Sequence, residues 1–127
     1  MKMSDIQEIG RRIEDGEWVD NTGLAGLRLK VRGLRSRAFE RMQVDLIQKK
    51  TGRSGRRLSP EETTAITNAC LRDAVLLDWE GLTGDDDRPI PYDRATAEML
   101  LTDPHFAAFR EAVVFAADVV GDLGRSE

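Results

Sequence analysis

The sequence has a single cysteine, so Cys70 cannot close a disulfide within the 127-residue chain. Lying between Ala69 and Leu71, it reads as a small buried apolar residue. There is also a single histidine, His105, distant from that cysteine, which excludes a zinc site of Cys and His ligands. Metal chemistry would have to rest on carboxylates. No apolar run approaches the roughly 18 residues of a membrane span. The start, Met1-Lys2-Met3-Ser4-Asp5, leads into a polar stretch without the apolar core of a signal peptide, so the chain is expected to stay in the cytoplasm. A Walker phosphate loop, a GxGxxG run, a GxSxG elbow and an HExxH pair are all missing. Most enzyme templates fail on these absences, and the expectation is a non-enzymatic protein with no catalytic residue, cofactor or metal.

At 40% hydrophobic and 33% charged, the chain falls among soluble globular proteins, and its length suits one domain over residues 1–127. A chain of this size can bury about two-thirds of its unfolded surface. Its net charge of −4 is unevenly placed. Residues 1–27 carry −3, residues 28–57 carry +9 and residues 58–127 carry −10. A basic stretch can be a nucleic-acid arm, or it can meet an acidic face in the same or another molecule. The pI of about 5.1 favours the second reading.

Local patterns predict an α+β fold, mostly helical, with four to five helices and a small N-terminal β-hairpin. Ser4 and Gln7 form a possible capping box, followed by Ile6, Ile9 and Ile13 at helical spacing, for a short first helix. Glu17-Trp18-Val19-Asp20, the turn residues 21–26 and the alternating run Leu27 to Arg32 predict a hairpin over about 17–33. In its second strand Leu27, Leu29 and Val31 share a packed face, and Arg28, Lys30 and Arg32 a wet one. Ser36 caps a helix over about 36–51 with Phe39, Met42, Leu46 and Ile47 as its stripe, followed by a basic loop over 49–57. Ser59-Pro60-Glu61-Glu62 starts a helix expected to reach about Asp78, with Ile66, Cys70, Ala74 and Leu77 buried. No long element is expected between Trp79 and Tyr92. Asp93 caps a helix over about 93–102, and Asp103-Pro104 starts another over about 103–121. In that last helix Phe106, Phe109, Val113, Ala116 and Val120 make a seam suited to another helix, in this chain or in a partner.

Candidate chemistry is sparse. His105 follows Asp103-Pro104 in a helix's first turn, an exposed place for a triad member. Asp85, Asp86 and Asp87 lack the alternation, glycine and closing glutamate of a calcium loop. Lys49, Lys50, Arg53, Arg56 and Arg57 have no aromatic among them to stack a base, so binding to nucleic acid is not expected.

Two segments carry a family likeness. Trp18-Val19 before LRLKVRGL, and above all LLDWEGLTGDDDRPIPYDRATAEMLLTDPHF (76–106), resemble small tail assembly chaperones of long-tailed bacteriophages and phage-like gene transfer elements. The pattern is a helix ending in a tryptophan, Gly-Leu/Val-Thr, an acidic turn, Pro-x-Pro with an aromatic, and a helix closed by Leu-Leu. Trp79, Gly81, Leu82, Thr83, Asp85, Asp86, Pro89, Pro91, Tyr92, Leu100 and Leu101 carry it here, and Asp87 stands where a glycine is expected. The resemblance implies a protein of the host cytoplasm that self-associates and keeps the tape-measure protein soluble while tube protein polymerises around it. It also implies that the chaperone is absent from the finished particle. The tail from Gly121 to Glu127 would be the form without a frameshifted extension that recruits tail tube protein. Phe106, Phe109, Val113, Val120, Trp79 and Tyr92 are the candidate partner-binding residues. The competing readings are a virion protein of the tail or head–tail junction, and a small nucleic-acid-associated regulator using residues 28–57.

Overall fold

Helix starts are set where a side-chain oxygen can satisfy a free amide of the first turn. In the computed structural model, which describes residues 1–52 and 54–125, Ser36 Oγ accepts the Phe39 N–H at 3.2 Å and opens α2 (Arg37–Thr51). Ser59 Oγ accepts the Glu62 N–H at 3.1 Å while the Glu62 carboxylate accepts the Ser59 N–H at 3.0 Å, the reciprocal box that opens α3 (Pro60–Cys70). The Asp93 carboxylate accepts the Thr96 N–H at 3.0 Å and opens α4 (Arg94–Thr102). Asp103 accepts the His105 N–H, and a single 3-10 turn over Pro104–Phe106 runs into α5 (Ala107–Gly121). The first helix, α1 (Met3–Asp15), starts before Ser4. Its cap is the Asp5 carboxylate, which accepts the Lys2 N–H at 3.2 Å, in place of the expected Ser4 and Gln7 box.

The hairpin is present as β1 (Glu17–Val19) and β2 (Arg28–Val31), antiparallel, with Trp18 opposite Lys30. Its outer edge is not free. The expected long helix ends at Cys70, passes through one π-helical turn at Leu71–Val75, and leaves as a third strand, β3 (Leu76–Glu80). β3 pairs antiparallel with β2, placing Leu29 opposite Trp79 and Val31 opposite Leu76, and an irregularity between Lys30 and Val31 takes up the extra residue. The sheet order is β1-β2-β3. Helical spacing continues through Ala74 and Leu77, but the unpaired amides and carbonyls on the second edge of β2 need partners, and that long-range pairing overrides the local preference. The fold is α+β.

Leu27, Leu29 and Val31 are buried, as alternation requires, and join Val19, Leu76 and Trp79 on the face that meets α5. From α5 come Phe109, Ala112, Val113, Ala116, Ala117 and Val120, with Leu71, Val75, Leu100, Leu101 and Ile13 closing the sides. α2 lies at the margin: none of its residues is fully buried, and Phe39 only borders the core. Lys49 and Lys50 belong to its last turn and not to a loop. Arg53, assigned to the basic loop, and the final Ser126 and Glu127 of the tail lie outside the described residues.

The basic and acidic segments meet within the molecule. Arg28 bridges Asp20 and Glu80 at 2.5 and 2.6 Å, and Arg56 pairs with Glu62 at 3.0 Å. Asp73, in the middle of the π-helical turn, takes bidentate hydrogen bonds from Arg72 (2.9 and 2.7 Å) and from Arg94 (3.0 and 3.2 Å), tying the turn to the start of α4. The Arg72 guanidinium, with that of Arg94, holds the Asp73 carboxyl at about 2, against an ordinary value of 3.8. A carboxyl whose pKa is lower in the folded state adds stability above its unfolded value, and that stability is lost as pH falls through the folded one. Asp73→Asn is therefore expected to remove part of the acid dependence between about pH 4 and pH 2. Melting temperature measured across that range should fall less steeply in the variant. Glu62, held at about 2 by Arg56 and the Ser59 amide, leaves a residual slope; an unchanged slope would refute the Asp73 assignment.

Candidate functional site

Four of the six residues singled out by pattern lie in the domain's own core. Trp79, Phe109, Val113 and Val120 are each no more than 5% exposed. The Trp79 indole N–H donates to the Ile90 carbonyl at 2.7 Å, and its ring meets Tyr92 and Phe109 edge-on, with centroids 5.0 and 5.7 Å apart. Edge-to-face pairs of this kind add to plain burial. Together they clamp the arm after β3 onto α5, so these side chains form an internal lock. Tyr92 is half-buried there, and burial pushes its hydroxyl above the ordinary range. The arm turns tightly: Gly84 N–H donates to the Arg88 carbonyl and Ile90 N–H to the Leu82 carbonyl. Asp87 takes φ 64°, the left-handed conformation for which glycine is favoured and aspartate is among the better substitutes. The turn is thus built around the residue that departs from the family pattern.

The remaining chemical candidates are structural. Cys70 is fully buried, and desolvation pushes its thiol up, away from the reactive thiolate. His105 is exposed and sits 3.0 Å from Asp103, its neighbour at the helix start. Among the described residues, no group of three or more His, Cys, Asp or Glu is placed to hold a metal.

Phe106 alone of the six is exposed, and it leads to a surface that pattern reasoning missed. α5 is apolar over a wider arc than its core contact uses. Beside the buried seam, Ala108, Phe115 and Val119 form a second ridge, with Phe115 48% and Val119 41% exposed. Leu24, from the loop between β1 and β2, completes it. Leu24, Ala108, Glu111, Ala112 and Phe115 share a shallow groove of about 300 Å³. Leu24 and Ala108 also border a second groove of about 330 Å³ with Leu82, Leu100 and Phe106, so the apolar strip is continuous. The loop is held from within: the buried Thr22 hydroxyl donates to the Leu27 carbonyl at 3.0 Å and accepts the Leu24 N–H at 3.4 Å. From Ala108 to Val119 the strip runs about 17 Å along the helix. The signal in the sequence was Phe115 and Val119 themselves, four residues apart and off the Phe109–Val113–Val120 line.

A larger groove of about 540 Å³ lies between α3 and α4, over Ala65, Ala69 and Leu101. Its polar rim is already engaged: Arg72 pairs with Glu98 at 3.1 Å, and Asn68 accepts from Arg110 at 2.6 Å. The α5 strip is different. Glu111, Asp118 and Asp122 run along one side of it, and none makes an ion pair with another described residue. An exposed apolar ridge of this kind suits contact with another protein more than catalysis.

A family model described as YdaY prophage protein matches residues 35–122, from the turn before α2 to the end of α5. The match contains Phe106, Phe115 and Val119 and leaves Leu24 outside. No curated protein and no solved structure matches the chain.

Proposed function

The chain belongs to the YdaY prophage protein family and is phage-derived, and from that premise we propose that it is a non-enzymatic tail assembly chaperone. In this reading it binds the tape-measure protein in the host cytoplasm, keeps it soluble while tail tube protein assembles, and leaves before the particle is complete. The observation that carries the reading is the continuous apolar strip of Leu24, Phe106, Phe115 and Val119, lined by two adjoining grooves, whereas other exposed apolar side chains, Met3, Ile6, Val44 and Met99, stand on α1, α2 and α4. A chaperone of a long helical client needs such a ridge more than it needs a pocket, because helix-in-groove recognition works through anchors at spacings of three and four. The 76–106 segment adds support, since its tryptophan, acidic turn and Pro-x-Pro arm are the features that resemble the tail chaperones.

The test is a tagged pull-down from cells expressing the neighbouring phage genes, with mass spectrometry of the bound proteins and of purified particles. The expected result is recovery of a long helical protein and absence of this chain from particles. Phe115→Asp should lose at least about nine-tenths of that recovery with the melting temperature shifted by no more than a few degrees. A stoichiometric place in the particle would overturn the reading in favour of a virion protein. Salt-sensitive retention on DNA without a protein client would favour the nucleic-acid regulator.

A further inference from the structure

We propose that the α5 strip takes an amphipathic helix whose apolar stripe is flanked by lysine or arginine, and that the acidic ridge beside the strip makes this choice. The inference deepens the reading above by naming the partner's chemistry, and it rests on the same surface.

The ridge is well defined. On α5, Glu111 lies one turn before Phe115, and Asp118 lies one turn after it and beside Val119, with Asp122 following at the helix end. All three acids are exposed. The one cation of α5, Arg110, points away from the strip toward α3, where it donates to Asn68 at 2.6 Å. A ligand on the strip therefore meets carboxylates along one side and the uncharged loop Asn21-Thr22-Gly23 along the other.

The placement also opposes the helix's own electrostatics. Asp118 and Asp122 sit at the negative end of the α5 dipole, where anions are disfavoured; Arg35 donates to the Gly121 and Leu123 carbonyls there and makes no ion pair with either acid. A partner bringing cations to this edge pairs with the three carboxylates, while its apolar stripe covers Phe115, Val119 and Leu24. A second copy of this chain pairing through the same strip brings no cations. Two α5 helices pairing antiparallel about Phe115 would bring Glu111 of one copy toward Asp118 of the other, like charges at an interface whose centre is apolar. The strip is about three helical turns long, enough for an i, i+4, i+7 set of anchors.

Two labelled model peptides test this, each helical with the same leucine stripe, one with lysine and one with glutamate at all flanking positions. Fluorescence anisotropy against the full chain at moderate salt should show the lysine peptide binding about tenfold more tightly or better. The double variant Glu111→Lys with Asp118→Lys should reverse that order while melting within a few degrees of the parent, since both side chains are exposed and neither makes an ion pair with another described residue. Phe115→Asp should abolish binding of the lysine peptide. The inference is overturned if the two peptides bind equally, if neither binds, or if the double variant leaves the preference unchanged. A concentration-dependent dimer that Phe115→Asp dissolves would assign the strip to a second copy and also overturn it. If the peptide preference holds but the pull-down yields no tape-measure protein, the client's identity fails and this inference stands.

Discussion

Phe109→Asp is expected to leave the protein unfolded at 25 °C, whereas Phe115→Asp, six residues further along the same helix, is expected to leave it folded. Phe109 is 5% exposed, meets Trp79 edge-on and closes the layer between α5 and the sheet. Losing such a ring costs about 3–5 kcal/mol. An unpaired carboxylate in its place adds several more, against a total stability of about 5–15 kcal/mol for a domain of this kind. Far-ultraviolet circular dichroism and a thermal melt on both variants decide it. If Phe109→Asp melted like the parent, the seam on α5 would not be the core, and the division of that helix into a buried face and a binding face would collapse.

The second large effect is expected at Gly81, where β3 ends. Gly81 has φ 86°, and a side chain there would overlap the carbonyl oxygen of Gly26, with the Gly26 carbonyl carbon 2.9 Å away. Gly81→Ala combines a left-handed backbone with a backbone clash, and the two together cost about 2–5 kcal/mol. The urea midpoint should fall accordingly, with little change in slope. Gly26 belongs to the loop that carries Leu24, so the same substitution should weaken binding on the α5 strip even where the protein remains folded. An unchanged midpoint would mean that the loop yields freely, and the strip would then lack a fixed edge.

Local chemistry made the helix starts legible. Ser36, Ser59 with Glu62, and Asp93 each cap the helix that their sequence context announces, because a cap depends on residues within one turn. The buried alternation of Leu27, Leu29 and Val31 was legible for the same reason. β3 was not. Its first residues, Leu76 to Asp78, continue a helical spacing, and they become a strand only because β2, some 50 positions earlier, offers an open edge. The exposed apolar strip was partly legible: it lies on the last helix, but Phe109, Val113 and Val120 took that helix's strongest periodicity and face inward. Phe115 and Val119 stand out only when the helix is asked which apolar residues its own core leaves over.

The sheet joins strands that the ribosome produces far apart. β1 and β2 can pair as soon as they emerge, but the other edge of β2 stays open while two helices and their connections are made. An open edge is a template for a strand of another chain, and the nearest such strand on a polysome is an identical β2. Arg28 and Lys30 give that strand a single sign of charge on its wet face. Identical strands laid side by side would bring these cations together, whereas β3 brings Asp78 and Glu80, which face Lys30 and Arg28 across the ladder. The cationic alternation that looks like a binding motif in the sequence thus favours β3 over a second β2 as the strand on that edge.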